Sequence, residues 1–116
     1  WGSSPTLMVS LMEYVFFAPV FEELAFRGLL FGVFRRRFQW GVAAMLSAAL
    51  FALAHGYGLI GFLSVFWSGV IWAWAYERTG SLWPGMIGHA INNLLVCLSV
   101  MALLRACAPG VRGLTA

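Results

Sequence analysis

Long apolar stretches separated by short polar segments run along nearly the whole chain. Such stretches predict helices, and about 20 apolar residues are enough for a helix to cross a ~30 Å hydrocarbon core. We therefore expect an all-α protein, a polytopic membrane helix bundle with about four transmembrane helices. The expected spans are residues 7–34, 40–55, 59–76 and 84–104 of one domain over residues 1–116, with 108–116 as an unstructured tail.

Proline and glycine mark the positions where the expected helices bend or end. Pro19 removes a backbone donor inside the first span, shortly before Glu22, and so predicts a kink there. Residues 56–58, Gly-Tyr-Gly, predict a tight turn because glycine tolerates a positive φ. Pro84 fits the first turn of the fourth helix, where its missing N–H is harmless.

The composition is unlike that of a soluble domain. Hydrophobic residues make up 62% of the chain and charged residues 9%, against about 25% charged residues in soluble domains. The net charge of +3 does not indicate nucleic-acid binding, because no basic stripe is interleaved with aromatic residues. Arginines 35–37 and Arg78 fall at one end of the bundle, which the positive-inside rule makes cytoplasmic, whereas Arg105 and Arg112 oppose that orientation. Aromatic residues that fit an interfacial belt lie at the same end: Trp40, Trp72, Trp74, Tyr76 and Trp83.

Small residues predict where helices approach one another closely. Gly28 and Gly32 form a GxxxG spacing in the first span, a pattern typical of close helix contacts in membranes. The third span carries a similar row of small residues: Gly61, Ser64, Ser68 and Gly69.

Ionisable residues inside the apolar spans are the strongest functional signal. A charged side chain at the bilayer centre costs about 2.5–3.5 kcal/mol on insertion scales, so it usually faces the bundle interior. Glu22 and Glu23 point about 100° apart on a helix and are not expected to face one partner together. Glu23 precedes Arg27 by four residues, the favoured order for a helical ion pair, which leaves Glu22 as the free carboxylate.

Two further polar clusters each carry a histidine. His55 lies at the end of the second span, and His89 shares a helix face with Asn93, with Asn92 slightly displaced. Taken alone, each cluster is explained by packing or by an interhelical hydrogen bond. Two histidines, a spare carboxylate and an amide together are more than packing requires.

The three clusters together resemble a known family. Residues 22–28 read Glu-Glu-x-x-x-Arg-Gly, residues 51–55 read Phe-x-x-x-His, and residues 89–93 read His-Ala-x-x-Asn. This order and spacing are similar to those of the CAAX protease and bacteriocin-processing family. The resemblance implies a glutamate-dependent intramembrane peptidase that works without a metal. Carried over by residue, Glu22 and His55 would activate a water, while His89 and Asn93 would donate hydrogen bonds to the oxyanion.

The resemblance also implies supporting residues and partners. Glu23 with Arg27 would hold the helix and tune the catalytic glutamate, and no cofactor is expected. The substrate would be a membrane-associated or lipidated peptide or protein, and the bilayer itself is a partner. The expected location is a prokaryotic plasma membrane.

The depth of each of the four catalytic candidates in the bundle tests whether they can meet at one site. Counted from the arginine-rich end at about 1.5 Å per residue, Glu22 lies ~18 Å deep, His55 ~22 Å, His89 ~9 Å and Asn93 ~15 Å. His89 is shallow, so the fourth helix must enter deeper, tilt, or let the ring reach down.

Two alternatives stay open from the sequence. Glu22, His55 and His89 match the His₂Glu ligand set of catalytic zinc, although no HExxH motif is present. A non-catalytic membrane protein that binds or sequesters a peptide, as an immunity protein would, is the other.

Overall fold

Four helices make up residues 4–107, the part of the chain that the structure, a computed structural model, describes. Helix α1 is a continuous helical run from Ser4 to Arg35, α2 is Trp40–Ala54, α3 is Leu59–Thr79, and α4 is Trp83–Cys107. No strand occurs within these residues. The predicted all-α class is therefore confirmed, while the predicted tail at 108–116 lies outside the described residues.

Helix α1 changes its winding along its length without breaking. Its segments are the α-helical Ser4–Met12, the π-helical Glu13–Phe17, the α-helical Ala18–Glu23, the π-helical Leu24–Phe31 and the α-helical Gly32–Arg35. The residues at the four junctions keep right-handed helical φ and ψ angles. The irregularity predicted at Pro19 thus takes the form of a π-helical turn directly before it, where the Ala18 N–H donates to the Glu13 carbonyl.

A glycine follows the end of each of α2 and α3, and the first of them lies in the turn predicted at residues 56–58. After α2 the chain turns at Gly56, with φ 65°, and α3 ends at Gly80, with φ 63°. Both angles lie in the left-handed region, where glycine pays no Cβ penalty. The Gly80 N–H donates to the Tyr76 carbonyl and closes the last turn of α3.

The buried face of α1 follows a four-residue spacing. Val15, Pro19, Glu23, Arg27 and Phe31 are all buried, and they form one stripe along the helix. Helices α2 and α3 share the largest interface in the bundle, and its centre is built from small side chains. Those of α2 are fully buried, and they include Ala43, Ala44 and Ala48. Ser47 is also fully buried, but it donates to the Phe26 carbonyl of α1 at 3.0 Å.

The prediction that Gly28 and Gly32 make a close helix contact is wrong at Gly32. A Cβ added there would meet no other described atom within 4 Å, and one at Gly28 would lie an ordinary 3.5 Å from Leu82. Both glycines follow a buried residue of the stripe by one position, which rotates them about 100° off the packed face. The close approach occurs instead at Gly69, whose added Cβ would lie 2.9 Å from the Cβ of Ala48.

The outer surface of the bundle is strongly apolar. Leu59 is 75% exposed and Ile60 is 87% exposed, and apolar exposure on this scale points to a lipid or protein environment. By length and composition, α3 and α4 are long and apolar enough to cross a membrane. Helix α2 has 15 residues, about 22 Å of helix, so the count of four spans stays a prediction.

Gly69 provides a test of the α2–α3 contact. Gly69→Ala is expected to lower the free energy of unfolding by about 1–3 kcal/mol, because the added methyl strikes Ala48 and the packed helices must separate. The matched control, Gly32→Ala, faces open space and is expected to raise it by about 0.5–1 kcal/mol through reduced backbone freedom. Thermal unfolding of both variants in detergent checks this, and equal effects would contradict the packing described.

Candidate active site

A buried ion pair on α1 forms the base of the site. Arg27 Nη1 lies 2.9 Å from Glu23 Oε1, and both side chains are at most 1% exposed. Arg27 Nη2 donates to the Gly69 carbonyl of α3 at 3.1 Å, and its guanidinium lies 4.4 Å from the Phe51 ring centroid on α2. The predicted pairing of these two residues is therefore observed, and the arginine joins three helices.

Glu23 joins the fourth helix to the same pair. Its Oε1 lies 3.2 Å from His89 Nδ1, and a Cβ added at Gly85 would lie 2.8 Å from its Oε2. Only a glycine therefore lets α4 come this close to the carboxylate without displacing it. This approach brings the His89 ring to the acidic pair. His89 and Glu22 therefore meet, although the sequence predicts different depths for them.

Glu22 faces both histidines. Its Oε2 lies 3.5 Å from His89 Nε2 and 3.8 Å from His55 Nε2. The same oxygen is buried and has no hydrogen-bond partner among residues 4–107. The prediction that Glu22 and Glu23 cannot face one partner is wrong, because the two nitrogens of the His89 ring point to opposite sides and each meets one carboxylate.

The orientation of the His55 ring follows from its position at the C-terminal end of α2. Its Nδ1 lies 2.8 Å from the Phe51 carbonyl, four residues earlier on the same helix. A carbonyl only accepts, so Nδ1 carries the hydrogen and donates. In the neutral ring Nε2 then keeps its lone pair, and it is this nitrogen that faces Glu22.

Aromatic rings pack around the two imidazoles. The buried Phe51 ring lies edge-on to His55 at 4.6 Å and to His89 at 5.8 Å between centroids. The Trp72 ring stacks on His89 at 6.4 Å, and a Cβ at Gly88 would lie 2.5 Å from that ring. Trp72, predicted as an interfacial belt residue, is thus half-buried against α4 and lines the cavity, and its place at a lipid interface stays a prediction.

Asn93 lies on the same face of α4 as His89, and its amide already has one partner. Its Nδ2 donates to the Tyr14 carbonyl of α1 at 2.9 Å, and the side chain is 6% exposed. The neighbouring Asn92 is exposed. The sequence does not single out Tyr14 as this partner, because the winding of α1 decides which carbonyl is left free.

A cavity of about 220 Å³ collects most of these groups. Both histidines and Asn93 line it, and Glu22 approaches them from the side of α1. Apart from the histidines, its wall is uncharged and mixes aromatic rings, hydroxyls and aliphatic groups. Those residues include Tyr14, Phe51, Tyr57, Ser64, Val65, Ser68, Trp72 and Val96.

The α3 wall of the cavity was only partly anticipated. Gly61, Ser64 and Ser68 were predicted as packing residues, and they line the cavity together with Trp72. Their three- to four-residue spacing marks one helix face, which was the available signal. Among the described residues, no group of three or more His, Cys, Asp or Glu side chains has an arrangement that could hold a metal ion.

The fold and the site together describe a helix bundle with a buried carboxylate–imidazole centre. Residues 4–95 match the family described as type II CAAX prenyl endopeptidase Rce1-like. The chain belongs to this family, and the predicted resemblance is confirmed.

Two curated relatives match at moderate identity. The "Uncharacterized 24.3 kDa protein" of Escherichia coli is 33% identical over 91 residues, covering 75% of this chain and 42% of that protein. The "Putative membrane peptidase YdiL" of Bacillus subtilis strain 168 is 27% identical over 92 residues, covering 79% of this chain and 36% of that protein. The chain thus spans less than half the length of either relative. No solved structure matches it.

The buried ion pair yields a stability prediction. Arg27→Met is expected to cost about 3–5 kcal/mol of unfolding free energy, because it leaves the Glu23 carboxylate buried without its cation. The matched control is Arg35→Met, which removes an exposed arginine bonded to Glu77 at 2.7 and 3.0 Å, and it is expected to cost little. Thermal or denaturant unfolding in detergent compares the two, and equal losses would contradict a dominant role for the buried pair.

Proposed function

We propose that the chain carries the catalytic centre of an intramembrane endopeptidase that hydrolyses a peptide bond with a water activated by Glu22 and His55. The observation that carries the proposal is the position of Glu22 Oε2, buried, without a hydrogen-bond partner among the described residues, and within 3.8 Å of both imidazole Nε2 atoms. A carboxylate in such surroundings is arranged to act as a base rather than as a structural contact.

The geometry around Glu22 favours a water as the nucleophile. Glu22 Oε2 and His55 Nε2 are both hydrogen-bond acceptors, and they lie 3.8 Å apart. One water can donate a hydrogen to each, which directs an oxygen lone pair toward a substrate carbonyl carbon. As the C–O bond forms, Glu22 takes the proton, and it returns the proton to the nitrogen as the C–N bond breaks. A positioned base of this kind contributes about 10²–10⁴-fold.

His89 and Asn93 are proposed as the oxyanion donors. His89 Nδ1 donates to the Glu23 carboxylate, so Nε2 can donate as well only if both ring nitrogens carry a hydrogen. We propose this doubly protonated ring as the oxyanion donor, because each of its nitrogens faces a carboxylate. The Asn93 amide has a second N–H beyond the one bonded to Tyr14, and its side chain lines the cavity. A preorganised donor is worth about 10²–10³-fold in kcat.

The family and the cavity support a proposal for the substrate class and the location. We propose a membrane-associated or lipidated peptide or protein as the substrate, bound through the mainly uncharged walls of the cavity. The proposed location is a prokaryotic plasma membrane, with the chain crossing the bilayer several times. Its four helices and apolar outer surface support that arrangement. No cofactor enters the mechanism.

Glu22→Gln provides the main test of catalysis. The amide keeps the size of the side chain and cannot take a proton from water, so cleavage is expected to fall at least 10²-fold. Peptide mapping of membranes that contain wild type or the variant measures this and identifies the substrate. Glu13→Gln is the matched control, since Glu13 lies on the same helix, is exposed, and has no part in the site.

The same experiment separates the alternatives. Unchanged peptide maps with Glu22→Gln would favour a non-catalytic peptide-binding protein and overturn the proposal. Cleavage by wild type that is lost in EDTA and restored by Zn²⁺ would support the zinc alternative, with Glu22, His55 and His89 as ligands. Cleavage that resists the chelator is the expected result.

His55 and Asn93 are expected to differ in how much cleavage is lost when each is replaced by alanine. His55→Ala should abolish cleavage as fully as the loss of the Glu22 base, because the water then loses its second acceptor. Asn93→Ala should leave measurable activity, since His89 still donates to the oxyanion. Rates on a fluorogenic peptide built on the mapped cleavage site test this, and wild-type activity in His55→Ala would remove His55 from the mechanism.

A further inference from the structure

We propose that Pro19 is a positioning residue for Asn93 and acts through the backbone carbonyl of Tyr14. This proposal rests on the proposed function for its catalytic consequence, and on backbone hydrogen bonding alone for its structural part. The link joins a proline outside the three polar motifs to a side chain of the site.

The Tyr14 carbonyl lacks a donor within its own helix. In α-helical winding the donor would be the Ala18 N–H, but this group donates to the Glu13 carbonyl. In π-helical winding the donor would be residue 19, and a proline has no N–H to give. The carbonyl is therefore left for a partner outside α1, and Asn93 Nδ2 on α4 supplies the hydrogen bond at 2.9 Å.

This bond fixes which way the Asn93 amide points. A carbonyl accepts only, so the nitrogen of the amide, and not its oxygen, faces Tyr14. The orientation leaves the second N–H of the same nitrogen as the available donor of a side chain that lines the cavity. Without it, rotation about the last side-chain bond would exchange the N–H₂ for the oxygen, an acceptor that an oxyanion repels.

Pro19 also prevents a backbone N–H at its own position from competing for the Tyr14 carbonyl. Its ring is buried on the packed stripe of α1, one turn before Glu23. A residue with an N–H at this position would compete with Asn93 for the Tyr14 carbonyl. The proline therefore maintains a backbone acceptor for α4 at the level of the site.

Carbonyl-¹³C tyrosine labelling of the full chain in detergent tests the hydrogen bond directly. The chain has three tyrosines, so the NMR spectrum contains three labelled signals. Asn93→Ala is expected to shift the Tyr14 signal upfield and to leave that of Tyr76 in place. In a Pro19→Ala background the new N–H replaces the lost donor, so the same substitution should shift Tyr14 little. A Tyr14 signal that ignores Asn93→Ala in the wild-type background would overturn the proposal.

Kinetics with the fluorogenic peptide test the catalytic consequence. Pro19→Ala is expected to lower kcat by on the order of ten-fold with KM unchanged, because the donor is misaligned and not removed. In the Asn93→Ala background it should cause no further loss of kcat. Pro84→Ala, a proline in the first turn of α4, serves as the control and should keep wild-type kinetics.

The outcomes distinguish this proposal from the proposed function. Independent, multiplicative losses in the double variant would mean that Pro19 acts elsewhere, and would overturn the positioning role. If no peptide is cleaved by wild type, the proposed function fails and the catalytic consequence fails with it. The carbonyl measurement then still decides whether Pro19 and Asn93 are linked.

Discussion

The buried pair of Glu23 and Arg27 is the interaction on which the rest of the structure depends. Taking two charges out of water costs several kcal/mol for each ion unless geometry and further hydrogen bonds compensate. Here each of the other three helices contributes to that compensation. The Gly69 carbonyl on α3, the Phe51 ring on α2 and the His89 ring on α4 each contact one member of the pair. The pair therefore specifies how the four helices meet.

The two adjacent glutamates have different roles: Glu23 forms the buried ion pair, and Glu22 is the proposed base. Glu23 lies on the packed stripe of α1 and is almost fully buried, while Glu22 is rotated off it toward the cavity with a side chain that is 30% exposed. His89 lies between them and receives one carboxylate on each nitrogen. A single ring thus joins the structural pair to the proposed base, which couples the integrity of the bundle to the geometry of the site.

Features carried by helical spacing were predictable from the sequence. The four-residue spacing of Glu23 and Arg27 predicted their ion pair. The apolar stretches predicted the four helices, and the helix ends at the three connections lie within a few residues of the expected positions. The convergence of Glu22 with His55 and His89 followed from the three motifs taken together. Their roles in catalysis stay a proposal.

Features set by backbone winding or by tertiary contact were not predictable. Pro19 indicates that one carbonyl of α1 lacks a helical donor, but the π-helical winding decides that this carbonyl is that of Tyr14. GxxxG at Gly28 and Gly32 was misleading because that spacing marks a contact only where it coincides with the packed face. Trp72 was assigned to a lipid interface from its place near the arginine-rich end, and the sequence did not show that its ring packs beside Gly88 of α4.

The proposed chemistry depends on one carboxylate, Glu22, that faces both histidines of the chain. The most direct test is ¹⁵N NMR of the histidine-labelled chain, because its two histidines give separately observable ring nitrogens. We expect Glu22→Gln to shift the Nε2 signals of both His55 and His89, and Glu13→Gln to shift neither. Nε2 signals that stay unchanged with Glu22→Gln would contradict it.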